Sequence, residues 1–155
     1  MPAGPEKTLA MRLLEGKKAA YEVFTFSPEI HSAEGVAEAL NLPLEEVYKT
    51  LVVVRPLGKP LLVMVPATQE LDLKRLARAV GEKKLKMATQ REAESLTGLQ
   101  VGGISALALL NRGFDILILR KVQALSHVVV SAGKRGVNLR LTVPDLLRVT
   151  NARLV

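Results

Sequence analysis

Two uninterrupted apolar runs constrain the fold of this chain more than any other feature. They are Thr50-Leu-Val-Val-Val54 and Leu61-Leu-Val-Met-Val65, and the segment Arg-Pro-Leu-Gly-Lys-Pro separates them. Short runs that are rich in valine and leucine and bounded by proline and glycine are typical of buried strands. The intervening proline and glycine favour a turn. We therefore predict a pair of strands joined by this turn.

Helical spacing and capping residues predict helices on either side of this pair. The predicted helices cover residues 5–18, 32–41, 72–81 and 89–98 and the segment after Pro144, with a helical turn after Pro43. Further strands are predicted at 21–26, 116–119, 128–131 and 137–141. This irregular alternation favours a mixed-sheet α/β or α+β domain over a regular doubly wound sheet.

Length and composition limit what the chain can be. No repeat or long linker divides its 155 residues, so we predict one domain, 1–155. It has no cysteine, which excludes disulfide scaffolds, cysteine-ligated metals and cysteine nucleophiles. Its two histidines, His31 and His127, lack metal-ligand spacing, so neither a metal nor another cofactor is predicted.

The formal net charge of +7 favours a polyanionic partner, above all nucleic acid. Lys83, Lys84 and Lys86 form a basic strip that is either a solvated face or an RNA contact. The apolar runs fall short of the ~20 residues of a membrane span. The first seven residues hold an acid and two prolines where a secretory signal is basic and apolar. We expect a cytoplasmic protein without membrane contact.

Three segments carry groups that could bind or react. Lys49 stands at the start of a buried strand, where a lysine either extends to water or serves as a partly desolvated functional amine. Gly102-Gly103-Ile104-Ser105 could offer consecutive backbone amides to an oxyanion, or could simply be a turn after a helix. Ser131-Ala-Gly133-Lys134-Arg135-Gly could hold a phosphate, or could be a charged hairpin loop.

In this order, the three segments and Leu71-Asp-Leu-Lys74 resemble the YbaK/EbsC family of Cys-tRNA(Pro) deacylases over nearly the whole chain. The family is related to the editing domain of bacterial prolyl-tRNA synthetases. The resemblance implies a mixed, mostly antiparallel sheet that is partly closed like a barrel and flanked by helices. It also implies an enzyme without metal that acts in trans on the 3′ end of aminoacylated tRNA(Pro), with prolyl-tRNA synthetase as a partner.

The resemblance also implies site residues. Lys49, Gly102, Gly103 and Ser131 are expected to be catalytic. The remaining expected residues contact the substrate, and they are Tyr21, Thr50, Ile104, Ser105, Gly133, Lys134, Arg135 and Asn138. Two positions depart from the family pattern: Ala106 replaces the usual proline, which is expected to loosen its loop, and Asn138 replaces a common acid.

The implied mechanism uses the thiol of the substrate's cysteine, which attacks its own ester and leaves as a cyclic thiolactone. Such an intramolecular attack needs positioning and oxyanion stabilisation rather than a protein nucleophile. Two alternatives stay open. The Ala106 and Asn138 departures allow an Ala-tRNA(Pro) deacylase, and the positive charge allows a non-catalytic module that binds tRNA or a synthetase.

Overall fold

The computed structural model describes residues 6–155 of the chain. Its helices are α1 (Leu9–Gly16), α2 (Ala33–Leu40), α3 (Leu73–Val80), α4 (Gln90–Thr97) and α5 (Val143–Thr150). Its strands are β1 (Glu22–Thr25), β2 (Tyr48–Val54), β3 (Leu61–Pro66), β4 (Lys86–Met87), β5 (Asp115–Ile118), β6 (His127–Lys134), β7 (Val137–Thr142) and β8 (Arg153–Leu154). Short 3₁₀ helices cover Leu44–Glu46, Leu107–Leu109 and Arg120–Ala124.

The predicted strand pair forms the centre of a five-stranded sheet. β2 and β3 pair in antiparallel register, with Lys49 opposite Val65 and Val53 opposite Leu61. The strand order is β4-β2-β3-β5-β8. β4 pairs antiparallel with β2, whereas β5 and β8 add in parallel on the other side. The prediction of this strand pair from its two apolar runs is confirmed.

A second sheet of three antiparallel strands has the order β1-β7-β6. An isolated parallel bridge between Val47 and Val129 joins it to the five-stranded sheet. The predicted mixed sheet with mostly antiparallel pairing is confirmed. Residues 6–155 form no closed barrel, so the partial closure that the resemblance implies is not confirmed.

The apolar runs of β2 and β3 are continuous because both faces of the central strands are buried. One face places Val52, Leu62 and Met64 in the main core with α1, α5 and the β6–β7 pair. The other face places Val53 and Val63 against α3. Strands that are covered on both faces show no alternation of apolar and polar residues.

Capping residues set the helix boundaries. α1 begins after Thr8, whose hydroxyl accepts a hydrogen bond from the Met11 amide. The predicted start at Pro5 was too early: Pro5 lies outside the described residues, and 6–8 are not helical. The expectation that the chain does not begin with a secretory signal rests partly on residues 1–5, which also lie outside the described residues. In residues 6–155, no helix is long and apolar enough to cross a membrane.

Helix α4 leads directly into the glycine segment that contains Gly102 and Gly103, and a capping box fixes its start. The Thr89 hydroxyl accepts from the Glu92 amide at 3.1 Å, and the Glu92 carboxylate accepts from the Thr89 amide at 3.0 Å. Replacing Thr89 by Ala is expected to lower the free energy of unfolding by about 1 kcal/mol because one amide loses its cap. Urea denaturation measures this loss, and Thr68→Ala, outside any helix, should change stability far less.

Candidate functional site

The bridge between Val47 and Val129 aligns three strands at the predicted site. Val129 lies opposite Arg140 of β7, and Ser131 lies opposite Asn138. Lys49 of β2 and Ser131 of β6 each lie two residues after the bridge. In a parallel register, residues at equal distances from a bridge are neighbours across the strands, so Lys49 is expected beside Ser131. Side chains two residues apart on a strand share a face. The structure therefore pairs Ser131 with Asn138, and the same register, continued past the isolated bridge, predicts Lys49 in one cross-strand row with them.

The two glycine segments meet in direct backbone contact. A Cβ added to Gly103 would lie 2.9 Å from the amide nitrogen of Arg135 and 3.1 Å from the carbonyl carbon of Lys134. The Arg135 side chain donates from Nε to the Val101 carbonyl at 2.7 Å. Only a residue without a side chain allows this approach, so Gly103 is required by packing between the two segments.

A bulge in β6 shapes the second glycine segment. The register between β6 and β7 is interrupted from Ser131 to Lys134. Within it, the Gly133 amide donates to the Ser131 hydroxyl at 3.1 Å, and Gly133 adopts a φ of +96°. A Cβ at Gly133 would lie 3.2 Å from the Ala108 methyl group. The bulge thus joins the row that contains Ser131 to the segment 102–108.

The expected oxyanion donors differ in their availability. The Gly103 amide donates to the Gln100 carbonyl at 2.8 Å and closes a turn. Within residues 6–155, the amides of Gly102, Ile104 and Ser105 donate to no protein acceptor. Ile104 and Ser105 are buried, and a buried amide without a partner is rare in folded proteins. The Gly103 amide is therefore less available to an oxyanion than the amides of Gly102, Ile104 and Ser105.

Thr50 and Tyr21 lie apart from the row. Strand alternation places the Thr50 side chain on the opposite face of β2 from Lys49. Tyr21 packs against the main core, and its hydroxyl donates to Glu15 of α1 at 3.2 Å. Burial and this hydrogen bond raise the pKa of Tyr21. Among the described residues no hydrogen bond links Tyr21 to the row, so its role in the site stays a prediction.

The structure adds residues to the site that sequence reasoning missed. Phe24 lies opposite Asn138 in the register of β1 and β7, and the Phe26 amide donates to the Gly136 carbonyl at 2.9 Å. This pairing places Phe24 on the face of Asn138, and Phe26 follows directly after β1. The patterns of 21–26 and 137–141 predict both strands, but nothing in the sequence shows that they pair with each other.

The chain matches the family described as "Aminoacyl-tRNA editing domain" over residues 27–149. It belongs to this family. The matched residues include every expected site residue except Tyr21. The prediction of the family from the sequence is confirmed, as is the prediction of an enzyme class that acts on aminoacyl-tRNA.

Individual relatives of this editing domain agree. It is 39% identical over 150 residues to EbsC of Enterococcus faecalis, named as a candidate Cys-tRNA(Pro)/Cys-tRNA(Cys) deacylase, covering 96% of this chain and 91% of that protein. It is also 29% identical over 122 residues to a proline–tRNA ligase of Thermodesulfovibrio yellowstonii. The matched residues cover 78% of this chain and 20% of that protein. A solved structure described as a candidate trans-editing enzyme for prolyl tRNA synthetase shares the fold, with a TM-score of 0.85, 24% identity and coverage of 99% and 97%.

Other concave and basic surfaces of the editing domain lie elsewhere. A cavity of about 530 Å³ is lined by Arg55, Phe114 and Arg153 among others, and one of about 310 Å³ lies beside α3. Neither includes an expected site residue. Lys86 of the basic strip pairs with Val54, which is roughly 16 Å along β2 from Lys49 at the usual rise per residue. The strip is therefore not part of the row.

Replacing Gly103 by Ala tests the contact between the two glycine segments. The new methyl group would meet backbone atoms of Lys134 and Arg135, which cannot move without shifting the β6 bulge. We expect a loss of ~1–3 kcal/mol in the free energy of unfolding, as for overpacked sites.

Gly16→Ala is the matched control for Gly103→Ala, because a Cβ there would have no atom within 4 Å. Thermal and urea denaturation of both variants provide the measurement. Equal stabilities would contradict the assignment of Gly103 to a required close approach.

Proposed function

We propose that this editing domain is a trans-acting aminoacyl-tRNA deacylase that removes cysteine from tRNA(Pro), and that the whole chain forms this one domain. One observation carries the proposal. The register at the Val47–Val129 bridge aligns Lys49 with Ser131, and the β6 bulge that follows Ser131 contacts the segment that contains the unpartnered amides of Ile104 and Ser105. A cation, a hydroxyl and oxyanion donors are groups that can position an activated ester and stabilise the charge that develops when it is cleaved. The likeness to EbsC supports cysteine as the substrate.

The reaction proposed for this site needs no protein nucleophile, and the chain contains no cysteine. The sulfur of the bound cysteinyl group attacks its own ester carbonyl. The new C–S bond closes a thiolactone while the C–O bond to the terminal ribose breaks. The thiol proton passes to the leaving ribose oxygen, so the step is balanced without a co-reactant. Holding the ester in a reactive conformation can provide much of the rate enhancement.

Each site group has a role in this scheme. Lys49 binds the terminal ribose or phosphate and holds the reacting ester in place. The amides of Ile104 and Ser105, with Gly102, stabilise the negative charge that develops on the carbonyl oxygen. Gly103 holds the segment in place through its contact with the β6 bulge. Ser131 and Asn138 orient the 3′ end from the adjacent strands.

The tRNA contact beyond the 3′ end involves the charged loop after the bulge. Lys134 is exposed, whereas the Arg135 side chain is committed to the Val101 carbonyl. Lys134 is therefore the better phosphate contact, and Arg135 mainly holds the loop in place. The basic strip at Lys83, Lys84 and Lys86 would contact a more distant part of a tRNA. Prolyl-tRNA synthetase is the proposed partner, as the likeness to proline–tRNA ligases suggests.

Replacing Lys49 by Ala tests its role. We expect release of cysteine from Cys-tRNA(Pro) to fall at least 100-fold, because the ester loses both its anchor and a nearby positive charge. Single-turnover assays with labelled cysteine measure the rate. Lys74→Ala, at an exposed lysine on α3, keeps the same net charge as the test variant and should retain normal activity. A Lys49→Ala protein with near-normal turnover would contradict this role.

A panel of mischarged tRNAs decides the substrate and the mechanism. Cys-tRNA(Pro) should be deacylated, whereas Ser-tRNA(Pro) and Ala-tRNA(Pro) should persist because neither amino acid has a thiol to cyclise. A nucleophilic amine traps the thiolactone by attacking its carbonyl, which forms an amide and breaks the C–S bond, and mass spectrometry identifies the product. Removal of alanine alone would favour an Ala-tRNA(Pro) deacylase, for which the neutral Asn138 opposite Ser131 is the supporting observation. Salt-sensitive binding without any deacylation would instead favour a non-catalytic module.

A further inference from the structure

A partly buried ion pair joins β7 to the 3₁₀ helix that precedes β2, beside the proposed site. The Glu46 carboxylate accepts from Arg140 Nε at 2.8 Å and from a terminal nitrogen of the same guanidinium at 3.4 Å. Its side chain is 11% exposed and that of Arg140 21% exposed. A second carboxylate, that of Glu22, accepts from Arg140 at 3.3 Å. Glu46 and Glu22 hold the pKa of Arg140 above its ordinary value.

The pair lies one row away from the site. Arg140 pairs with Val129, and Val129 bridges Val47, the residue after Glu46. The Arg140 side chain therefore reaches across β6 and binds the chain just before β2 begins. Two residues further along the same strands lie Asn138, Ser131 and Lys49. The ion pair and the bridge thus hold together the strands that carry the row.

We infer that Arg140 and Glu46 are positioning residues that set the alignment of Lys49 with Ser131. This inference rests on the proposed function for its kinetic consequence. The isolated bridge is the only ladder pair that joins the two sheets within residues 6–155, so backbone pairing gives the seam little resistance to sliding. A bidentate guanidinium–carboxylate contact fixes direction as well as distance. An ammonium group makes a point contact and would allow the strands to shift.

A set of variants separates positioning from stability. Arg140→Gln and Glu46→Gln should each lower kcat for Cys-tRNA(Pro) roughly 10- to 100-fold with little change in KM, because a small misplacement affects the reacting geometry most. The double variant should lose no more than either single variant, since both remove the same contact. Arg140→Lys should recover part of kcat. An increase in KM as large as the decrease in kcat would overturn the inference. So would a decrease in kcat in the double variant that equals the product of the decreases in the two single variants.

Arg55→Lys is the matched control. Arg55 has the same side-chain exposure as Arg140, 21%, and pairs with Asp115, but it directly follows β2, at the end of that strand away from the bridge. Its loss should leave kcat unchanged. A decrease in kcat equal to that of Arg140→Lys would show that loss of any such arginine lowers activity and would overturn the inference.

A second measurement does not depend on the reaction. In NMR spectra of the folded protein, Arg140→Gln should weaken the nuclear Overhauser contacts between Val47 and Val129 and shift the amide signals of Lys49 and Ser131. Arg55→Gln, which removes the same charge at the control position, should leave these signals in place. If the wild type has no deacylase activity, the proposed function fails, yet these spectra still decide whether the ion pair sets the alignment. Unchanged spectra in Arg140→Gln would overturn the inference.

Discussion

The bridge between Val47 and Val129 is the contact on which the proposed site depends. Within residues 6–155 this bridge is the one strand pairing that connects the two sheets. The Val47 carbonyl also accepts from the Ala67 amide at 2.8 Å, so this residue is bonded toward β3 while it bridges β6. Both valines are buried and pack with Ala37 of α2. Helix α2 therefore helps to shield the two valines of the bridge from water.

The sides of the proposed site resist movement to different degrees. Lys49 stands on β2, whose pairing with β3 is continuous and whose apolar neighbours are covered on both faces. The segment 102–106 has no strand partner; Gly103 is locked against the β6 bulge, and Arg135 binds the Val101 carbonyl. A ligand between them would thus contact two walls. Strand pairing holds the wall with Lys49 in place, and packing between the two glycine segments holds the other. Such a division suits a site in which oxyanion donors must not move when charge develops.

The sequence predicted features that depend on local or continuous patterns. The apolar runs of 50–54 and 61–65 identified the central strands, and Ser32, Asp72 and Thr89 identified the helix starts at α2, α3 and α4. The two-residue strands β4 and β8 carry no pattern, because each forms only where a neighbouring strand offers free backbone groups.

The candidate site was predicted in a similar way. Family resemblance selected Lys49, Gly102–Gly103 and Ser131, but the residues alone left each with a structural alternative. The engagement of the Gly103 amide with Gln100 could not be foreseen, because a glycine pair does not reveal which amide closes a turn. Phe24, Arg140 and Glu46 were missed for another reason. Their relation to the site exists only through the register of β1, β7 and β6 and through the bridge to β2.

The two departures from the family pattern have different physical weight. Ala106 was expected to loosen its loop, yet it has a φ of −60°, the value that a proline ring imposes, and it is buried at 2% exposure in the main core. Alanine thus keeps the backbone path, and its main effect is a larger entropy loss on folding, about 0.4–1 kcal/mol relative to proline. Asn138 instead lies opposite Ser131, where a neutral amide stands in place of the acid that is common in the family. The change at Asn138 therefore alters the electrostatics that a substrate meets, and substrate preference should depend on it more than on Ala106.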